Sequence, residues 1–193
     1  MNEWISFVLY AVLGKMREAD AIMREHSLSV KTFAAYLARR HREKFPREAA
    51  LLYRGVVSDD IPGELVLPGC EFVSFSEIRD VALWFASPGS SINEEMRKAK
   101  PNATGWVISM NPAVGVSPLF HWRWAEELPL IAWGVLHPHI LPQVDQLSWN
   151  LSTQKEVILP PIVQSERWIT AVNIHPATVL SFDARFTHPD FRR

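Results

Sequence analysis

Three short segments of the chain contain polar side chains of the kinds that bind anions or stabilise cations. In the first, Arg54 interrupts the apolar run Leu51–Val57 and is followed by Gly55. Burial of an arginine in a strand is costly unless an anion or a carboxylate faces it. A glycine at a strand end allows a ligand to approach the backbone closely. This segment therefore predicts that either a bound anion or a carboxylate faces Arg54.

The second segment, Phe72–Ser76, is predicted to be a short strand that leads directly into a helix. Alternation along the strand places Ser74 and Ser76 on one face and Phe75 on the other. A serine hydroxyl is a compact donor that can fix a neighbouring carboxylate. Ser76 is also expected to cap the helix.

The third segment places an amide and a carboxylate at the start of a strand. A polar loop that begins at Ser152 delivers Gln154 and Glu156, two residues apart, to one side of the predicted strand Glu156–Leu159. A carboxylate in such a position stabilises positive charge that develops in a transition state. The third segment is therefore a candidate site for such chemistry.

In this order and with these neighbours, the three segments resemble the Arg–Ser–Glu signature of mono-ADP-ribosyltransferases, including the C3-like and phage-type enzymes. In that family an arginine ends the first core strand, a Ser-x-Ser segment opens a helix, and a Glu/Gln-x-Glu pair begins a later strand. The resemblance covers about Leu51 to Phe182. It implies an enzyme that uses NAD as a co-substrate and needs no metal.

The resemblance also implies a role for each residue. Glu156 would stabilise the oxocarbenium-like ribose and hold its 2′-hydroxyl group, Ser74 would orient Glu156, and Ser76 would be the partner of Ser74. Arg54 would contact a phosphate or ribose of NAD, for which its planar guanidinium is well suited. The backbone of Gly55 would bind the nicotinamide carboxamide.

An aromatic side chain is expected to cover the nicotinamide ring. Phe75, Trp84 and Phe85 are the candidates near the second segment, and Phe85 also fits the apolar stripe of the helix that follows.

Gln154 and Trp149 bear on the choice of acceptor. Relatives that modify arginine commonly have Glu two positions before the catalytic Glu, whereas Gln is common in relatives that modify asparagine or guanine bases. An amide pairs with a neutral amide but does not take a proton from a guanidinium. The resemblance thus favours an asparagine or another neutral side chain of a target protein over arginine. Trp149, in the expected loop, would face that target.

This interpretation implies a bacterial toxin or a phage effector that acts on a host protein. Two alternatives stay open: transfer to a guanine base of nucleic acid, and a catalytically inactive binding module of the same fold. The basic run Arg39–Lys44 favours nucleic acid. However, a protein whose affinity depends on counterion release from nucleic acid is usually more positively charged than this chain, whose net charge is −1.

The elements that must position these residues fall into two parts. Residues 1–50 have the apolar periodicity of helices, with one helix over Trp4–Leu13 and another from an N-cap at Ser29 to about Lys44. Beyond them, apolar runs of strand length alternate with Pro and Gly, interrupted by a helix after Ser76 whose apolar stripe is Ile78, Val81, Ala82 and Phe85. The predicted strands are Leu51–Val57, Glu71–Phe75, Trp106–Met110, Leu130–Leu136, Glu156–Leu159, Trp168–Ile174 and Thr178–Phe182.

These elements predict a single α+β domain over residues 1–193, in which a helical lobe, residues 1–50, packs on a β-rich catalytic core, residues 51–193. The resemblance adds that the core is mainly antiparallel and consists of two sheets, as in ADP-ribosyltransferases.

Composition excludes further classes of protein. The single cysteine, Cys70, excludes an intrachain disulfide framework and a cysteine-cluster zinc site. The apolar stretch Trp4–Leu13 follows the acidic Glu3 and lacks a small-residue cleavage site, and it is too short to span a bilayer. We therefore expect no signal peptide, no membrane partner and a cytoplasmic location, in the producing or the target cell.

Overall fold

Two helices form the N-terminal part of the chain, as the apolar periodicity predicted. In the computed structural model, which describes residues 1–44, 51–58, 71–87, 98, 103–110, 117–127, 144–160 and 169–174, α1 spans Asn2–Val12 and α2 spans Met16–Lys44. The prediction that α2 begins at Ser29 is wrong, because no Gly or Pro interrupts the chain between Met16 and Lys44. A kink at His26, where φ is −124° and ψ is 27°, divides α2 into two helical pieces.

Six antiparallel strands form one sheet in the order β4–β5–β2–β1–β3–β6. The predicted α+β class is thus confirmed, and all described strands belong to this one sheet. Two further predicted strands, Leu130–Leu136 and Thr178–Phe182, lie outside the described residues. The strands are β1 Leu52–Ser58, β2 Val73–Ser76, β3 Thr104–Met110, β4 Phe120–His121, β5 Glu156–Leu159 and β6 Ile169–Ile174, and the remaining helices are α3 Arg79–Ala86, α4 Val144–Thr153 and a 3₁₀ helix over Trp122–Glu127.

The central strands β1 and β2 share only a short pairing. β1 pairs with β3 along its whole length, from Leu52 to Ser58, but its recorded pairing with β2 is limited to Tyr53 opposite Ser76. From Arg54 onward, β1 therefore has no strand partner on its β2 side among the described residues. Arg54 is the first residue of this stretch, whereas Ser76, which lies opposite Glu156, is at the pairing itself.

The N-terminal helices pack against the β4–β5 edge of the sheet. Trp4 is 1% exposed, its indole Nε1 donates a hydrogen bond to the Leu119 carbonyl at 2.8 Å, and its ring meets Phe33 edge-on at 5.1 Å. Asn150 of α4 donates from Nδ2 to the carbonyl of Val12 at 3.1 Å, which gives a partner to one of the carbonyls at the buried end of α1. The helical lobe thus holds α4, the element that leads into β5.

Helix α3 starts later than predicted and buries a slightly different face. Its N-cap is Ile78, not Ser76. Ser76 is the last residue of β2, and its hydroxyl accepts a hydrogen bond from the Ile78 backbone N–H at 2.9 Å. Ala86 is fully buried, whereas Phe85 is only half-buried. The predicted apolar stripe is thus confirmed at Val81 and Ala82, and Phe85 is only partly buried.

Helix α3 crosses β1 at Gly55. A methyl group at Gly55 would lie 1.9 Å from the Ala82 carbonyl oxygen and 2.5 Å from the Ala86 backbone nitrogen. Gly55 lies in the middle of β1, so the expected strand-end position is wrong. The space in front of its Cα is filled by α3, so the absent side chain allows the helix to pack here. The backbone contact of Gly55 with a ligand that the sequence suggested stays a prediction.

Substitution of Gly55 should therefore destabilise the fold. We expect Gly55→Ala to lower the free energy of unfolding by about 2 kcal/mol, because overpacking against a helix backbone forces a shift of α3. Urea denaturation followed by circular dichroism would measure the change. Ser29→Ala, at an exposed position of α2, is the control and should change stability by less than about 0.5 kcal/mol. An equally small effect at Gly55 would contradict the packing.

No helix within the described residues combines the length and the apolar character needed to cross a lipid bilayer.

Candidate active site

The pairing of β2 with β5 brings the two serines and the glutamate together. Ser76 lies opposite Glu156, and Ser74 lies opposite Ile158. Residues opposite each other in antiparallel strands project from the same face, and every second residue of a strand shares that face. Ser74, Ser76 and Glu156 are therefore neighbours on one face, although the sequence separates them widely.

Glu156 is a buried carboxyl group whose ionisation depends on its neighbours. It is 7% exposed, and its Oε1 accepts a hydrogen bond from the Ser74 hydroxyl. Burial raises the pKa of Glu156 from 4.5 to about 7, although the Ser74 hydrogen bond and the positive charge of Arg54 each lower it. Burial is the largest effect because it removes water from the charged form. The side chain therefore ionises at a much higher pH than a solvent-exposed glutamate does.

Arg54 directly follows Tyr53, the residue of β1 that pairs with β2. Its Nη1 donates a hydrogen bond to the backbone carbonyl of Ser74 at 2.7 Å. The guanidinium thereby binds the backbone of β2 at Ser74, two residues before Ser76, which pairs with β1. This bond also keeps a positive charge beside Glu156, which favours the carboxylate over the neutral acid.

The Gln154–Lys155 turn joins α4 to β5 and is attached to the end of β2. The Ser76 hydroxyl donates to the Gln154 carbonyl at 2.5 Å, and the Glu77 backbone N–H donates to the Lys155 carbonyl at 3.2 Å. Lys155 has φ 45°, in the left-handed region, which costs a residue other than glycine roughly 1 kcal/mol. The contacts from β2 therefore hold a backbone conformation that is unfavourable by itself.

A helix takes the place of the polar loop expected before Gln154. α4 extends to Thr153, and the Gln154 backbone N–H continues its pattern by donating to the Asn150 carbonyl at 2.9 Å. Trp149 consequently lies within α4, so its expected loop position is wrong. The Trp149 side chain is outside the described residues.

The three aromatic candidates differ in accessibility. Phe75 is 2% exposed and packs in the apolar cluster that includes Val73 and Val157, so its ring is not available to a ligand. Trp84 and Phe85 are half-buried on α3, with ring centroids 5.0 Å apart and an interplanar angle of 69°. They remain the candidates for an aromatic wall beside β1.

A second polar cluster, which the sequence analysis did not identify, adjoins the Gln154–Lys155 turn. Oε1 of Glu77 lies 3.0 Å from His121 Nε2, and Oε2 accepts from Trp122 Nε1 at 2.8 Å. The pKa of Glu77 lies below its usual value of 4.5: burial raises it, but the hydrogen bonds from His121 and Trp122 and the nearby Arg123 charge outweigh burial. The only sequence signal was the position of Glu77 directly after Ser76.

Within the described residues, no group of three or more His, Cys, Asp and Glu side chains is arranged to hold a metal ion. His137 and His139, the histidine pair in the sequence, lie outside those residues.

Removal of the Ser74 hydroxyl should change the ionisation of Glu156. The hydrogen bond favours the charged carboxylate, so we expect Ser74→Ala to raise the pKa of Glu156 above about 7. The carboxyl ¹³C chemical shift of Glu156, followed by NMR across pH 5–9, would measure it. Ser152→Ala, at an exposed position of α4, provides the matched control. A pKa that is unchanged or lower in Ser74→Ala would contradict the assigned hydrogen bond.

Comparison with known proteins gives no matching protein family, no matching curated protein and no matching solved structure. The function must therefore be inferred from the residues of the site.

Proposed function

We propose that this chain is an NAD-dependent mono-ADP-ribosyltransferase. The observation that carries the proposal is the environment of the buried Glu156. Its carboxyl group accepts a hydrogen bond from the Ser74 hydroxyl, and Arg54 binds the backbone carbonyl of the same serine. These are the three residue types of the family signature, and β1, β2 and β5 bring them to one place.

The chemistry suits these residues. In the transfer, the bond between ribose C1′ and the nicotinamide nitrogen breaks, and nicotinamide leaves with the bonding electron pair. The acceptor forms a new bond to C1′ and releases a proton to solvent. Ionised Glu156 would stabilise the positive charge on the ribose and accept a hydrogen bond from its 2′-hydroxyl group. Ser74 would keep the carboxylate oriented.

Arg54 and the aromatic pair would bind the co-substrate. A guanidinium forms charge-assisted hydrogen bonds with phosphate oxygens, so Arg54 would contact the diphosphate or the ribose next to it. Trp84 or Phe85 would cover the nicotinamide ring. We also propose that the described sheet is part of the two-sheet core of ADP-ribosyltransferases.

The acceptor we propose is an asparagine or another neutral side chain of a host protein, and the chain would act as a bacterial toxin or phage effector. Gln154 supports this choice because its amide pairs with neutral polar groups and cannot act as a base toward a guanidinium. Its backbone is fixed at both polar atoms, by Asn150 and Ser76. The side chain is therefore presented from a constrained position next to Glu156.

Incubation with NAD labelled in its adenine moiety and a whole bacterial lysate tests the proposal. The products are separated into protein and nucleic-acid fractions, and released nicotinamide is measured in parallel, with Glu156→Gln as the inactive control. Label in a protein band that Glu156→Gln does not produce would support the proposal. Label in nucleic acid would establish the guanine alternative. A folded protein that neither transfers label nor releases nicotinamide would be a binding module.

A further inference from the structure

Glu77 connects the two strands that flank β5. It follows β2 directly, and its partner His121 belongs to β4, on the other side of β5 in the sheet. Because Ser76 lies opposite Glu156 and His121 lies opposite Val157, the Glu77–His121 contact is made at the end of β5 where Glu156 begins. The pair forms a clamp over the start of the strand that carries the proposed catalytic carboxylate.

The hydrogen bonds of His121 define the chemistry of this clamp. Its Nδ1 accepts a hydrogen bond from the Arg123 backbone N–H at 3.2 Å. A ring nitrogen that accepts cannot carry a proton, so the proton of the neutral ring is on Nε2, which faces Glu77. Glu77 therefore receives two donors, one on each oxygen, from His121 and Trp122. Each donor needs an acceptor, and the two oxygen atoms of the Glu77 carboxylate provide one for each.

The clamp also reaches the Gln154–Lys155 turn. The Glu77 backbone N–H donates to the Lys155 carbonyl, while the Lys155 ammonium lies 5.2 Å from the centroid of the Trp122 ring. Trp122 is itself held by the Glu77 side chain. Glu77 thus fixes Lys155 directly through its backbone and indirectly through the indole ring, in a conformation with positive φ.

We propose that Glu77 is a positioning residue that fixes the Gln154–Lys155 turn and so determines whether ADP-ribose passes to an acceptor or to water. This inference rests on the proposed function. Departure of nicotinamide depends on Glu156, which Ser74 orients independently of the clamp. Capture by an acceptor also depends on Gln154, whose position relative to C1′ is set by the turn. Loosening the turn should therefore affect transfer more than hydrolysis.

Glu77→Gln tests this assignment, because the amide nitrogen would face one of the two donors and leave it unsatisfied. We expect label transfer to the protein fraction of the lysate to fall about tenfold or more, and NAD hydrolysis without lysate to fall less than about threefold. Glu127→Gln is the matched control: Glu127 is also a partly buried carboxylate that contacts Arg40 and His41, on the far side of the 3₁₀ helix. It should leave both rates unchanged.

Hydrogen–deuterium exchange of residues 150–157 gives a readout that does not depend on activity. Exchange should become faster there in Glu77→Gln, and to a smaller extent in Trp122→Phe, which keeps a ring beneath Lys155 but removes the Nε1 donor. Trp122→Phe also tests the clamp if Glu77→Gln fails to fold. Unchanged exchange in both variants, or an equal loss of transfer and hydrolysis, would overturn the proposal.

The two proposals fail in different ways. If the unmodified protein consumes no NAD, the proposed function is wrong, and the partition between acceptor and water is wrong with it. The exchange measurement still decides whether Glu77 holds the turn. If the unmodified protein is active but transfer and hydrolysis respond alike to Glu77→Gln, only the positioning role is wrong.

Discussion

Glu156→Gln should lower the rate of nicotinamide release by at least about 10²-fold, while NAD affinity changes little. The loss is expected because an amide is nearly the same size but carries no charge, and electrostatic stabilisation acts mainly in the transition state. Steady-state kinetics of nicotinamide release and calorimetric titration with NAD would measure the two quantities. In the unmodified protein, kcat/KM should rise with pH through about 7 as Glu156 ionises.

The control for this prediction is Glu127→Gln, which removes a partly buried carboxylate outside the site. It should retain full activity and the same pH dependence. Near-normal nicotinamide release by Glu156→Gln would refute the catalytic assignment. A parallel loss of NAD affinity would instead show that Glu156 acts equally in the ground state.

The second large effect of Glu156→Gln is on stability, which should increase, whereas activity should decrease. Glu156→Gln should raise the free energy of unfolding by about 3 kcal/mol at pH 8, with almost no difference near pH 4.5, because a buried carboxyl group resists ionisation. The folded-state pKa of about 7 lies above the usual 4.5. The contribution of Glu156 to the stability of the unmodified protein is therefore fully present below pH 4.5. This contribution is lost as the pH rises through about 7.

Urea denaturation of both proteins at several values between pH 4.5 and pH 8 would measure the difference. Other titrating groups change the stability of both proteins together, so the difference isolates Glu156. A variant that is no more stable than the unmodified protein at pH 8 would mean that the ionised carboxylate is well compensated by Ser74 and Arg54. Increased stability together with lost activity is the pattern expected for a strained catalytic residue.

Local sequence patterns predicted the elements of the site with fair accuracy. Glu156–Leu159 is a strand with the predicted bounds, and alternation placed Ser74 and Ser76 on one face. These features depend on the periodicity of apolar and polar residues and on neighbours in the sequence, so they can be predicted from the sequence alone. The start of α2 and the helix before Gln154 were predicted wrongly because helix length depends on tertiary packing as well as on capping residues.

The roles of Gly55, Phe75 and Glu77 could not be obtained in this way. Gly55 follows a candidate anion-binding arginine, and nothing near it in sequence shows that α3 packs against its Cα. Phe75 is an aromatic residue beside the site in sequence, yet the sheet turns its ring into the core. Glu77 has its partners more than forty positions away, at His121 and Trp122.

The sequence by itself determined which chemistry is available: an arginine, two serines and a glutamate at strand positions, with an amide two residues before the carboxylate. Only the tertiary structure decided how those groups behave. Strand order brings Glu156 beside Ser74, burial raises its pKa to about 7, and the clamp from Glu77 fixes the turn next to it. The physical reason is that residue type and period are local properties, whereas solvation and the distance between charges depend on which distant segments pack together.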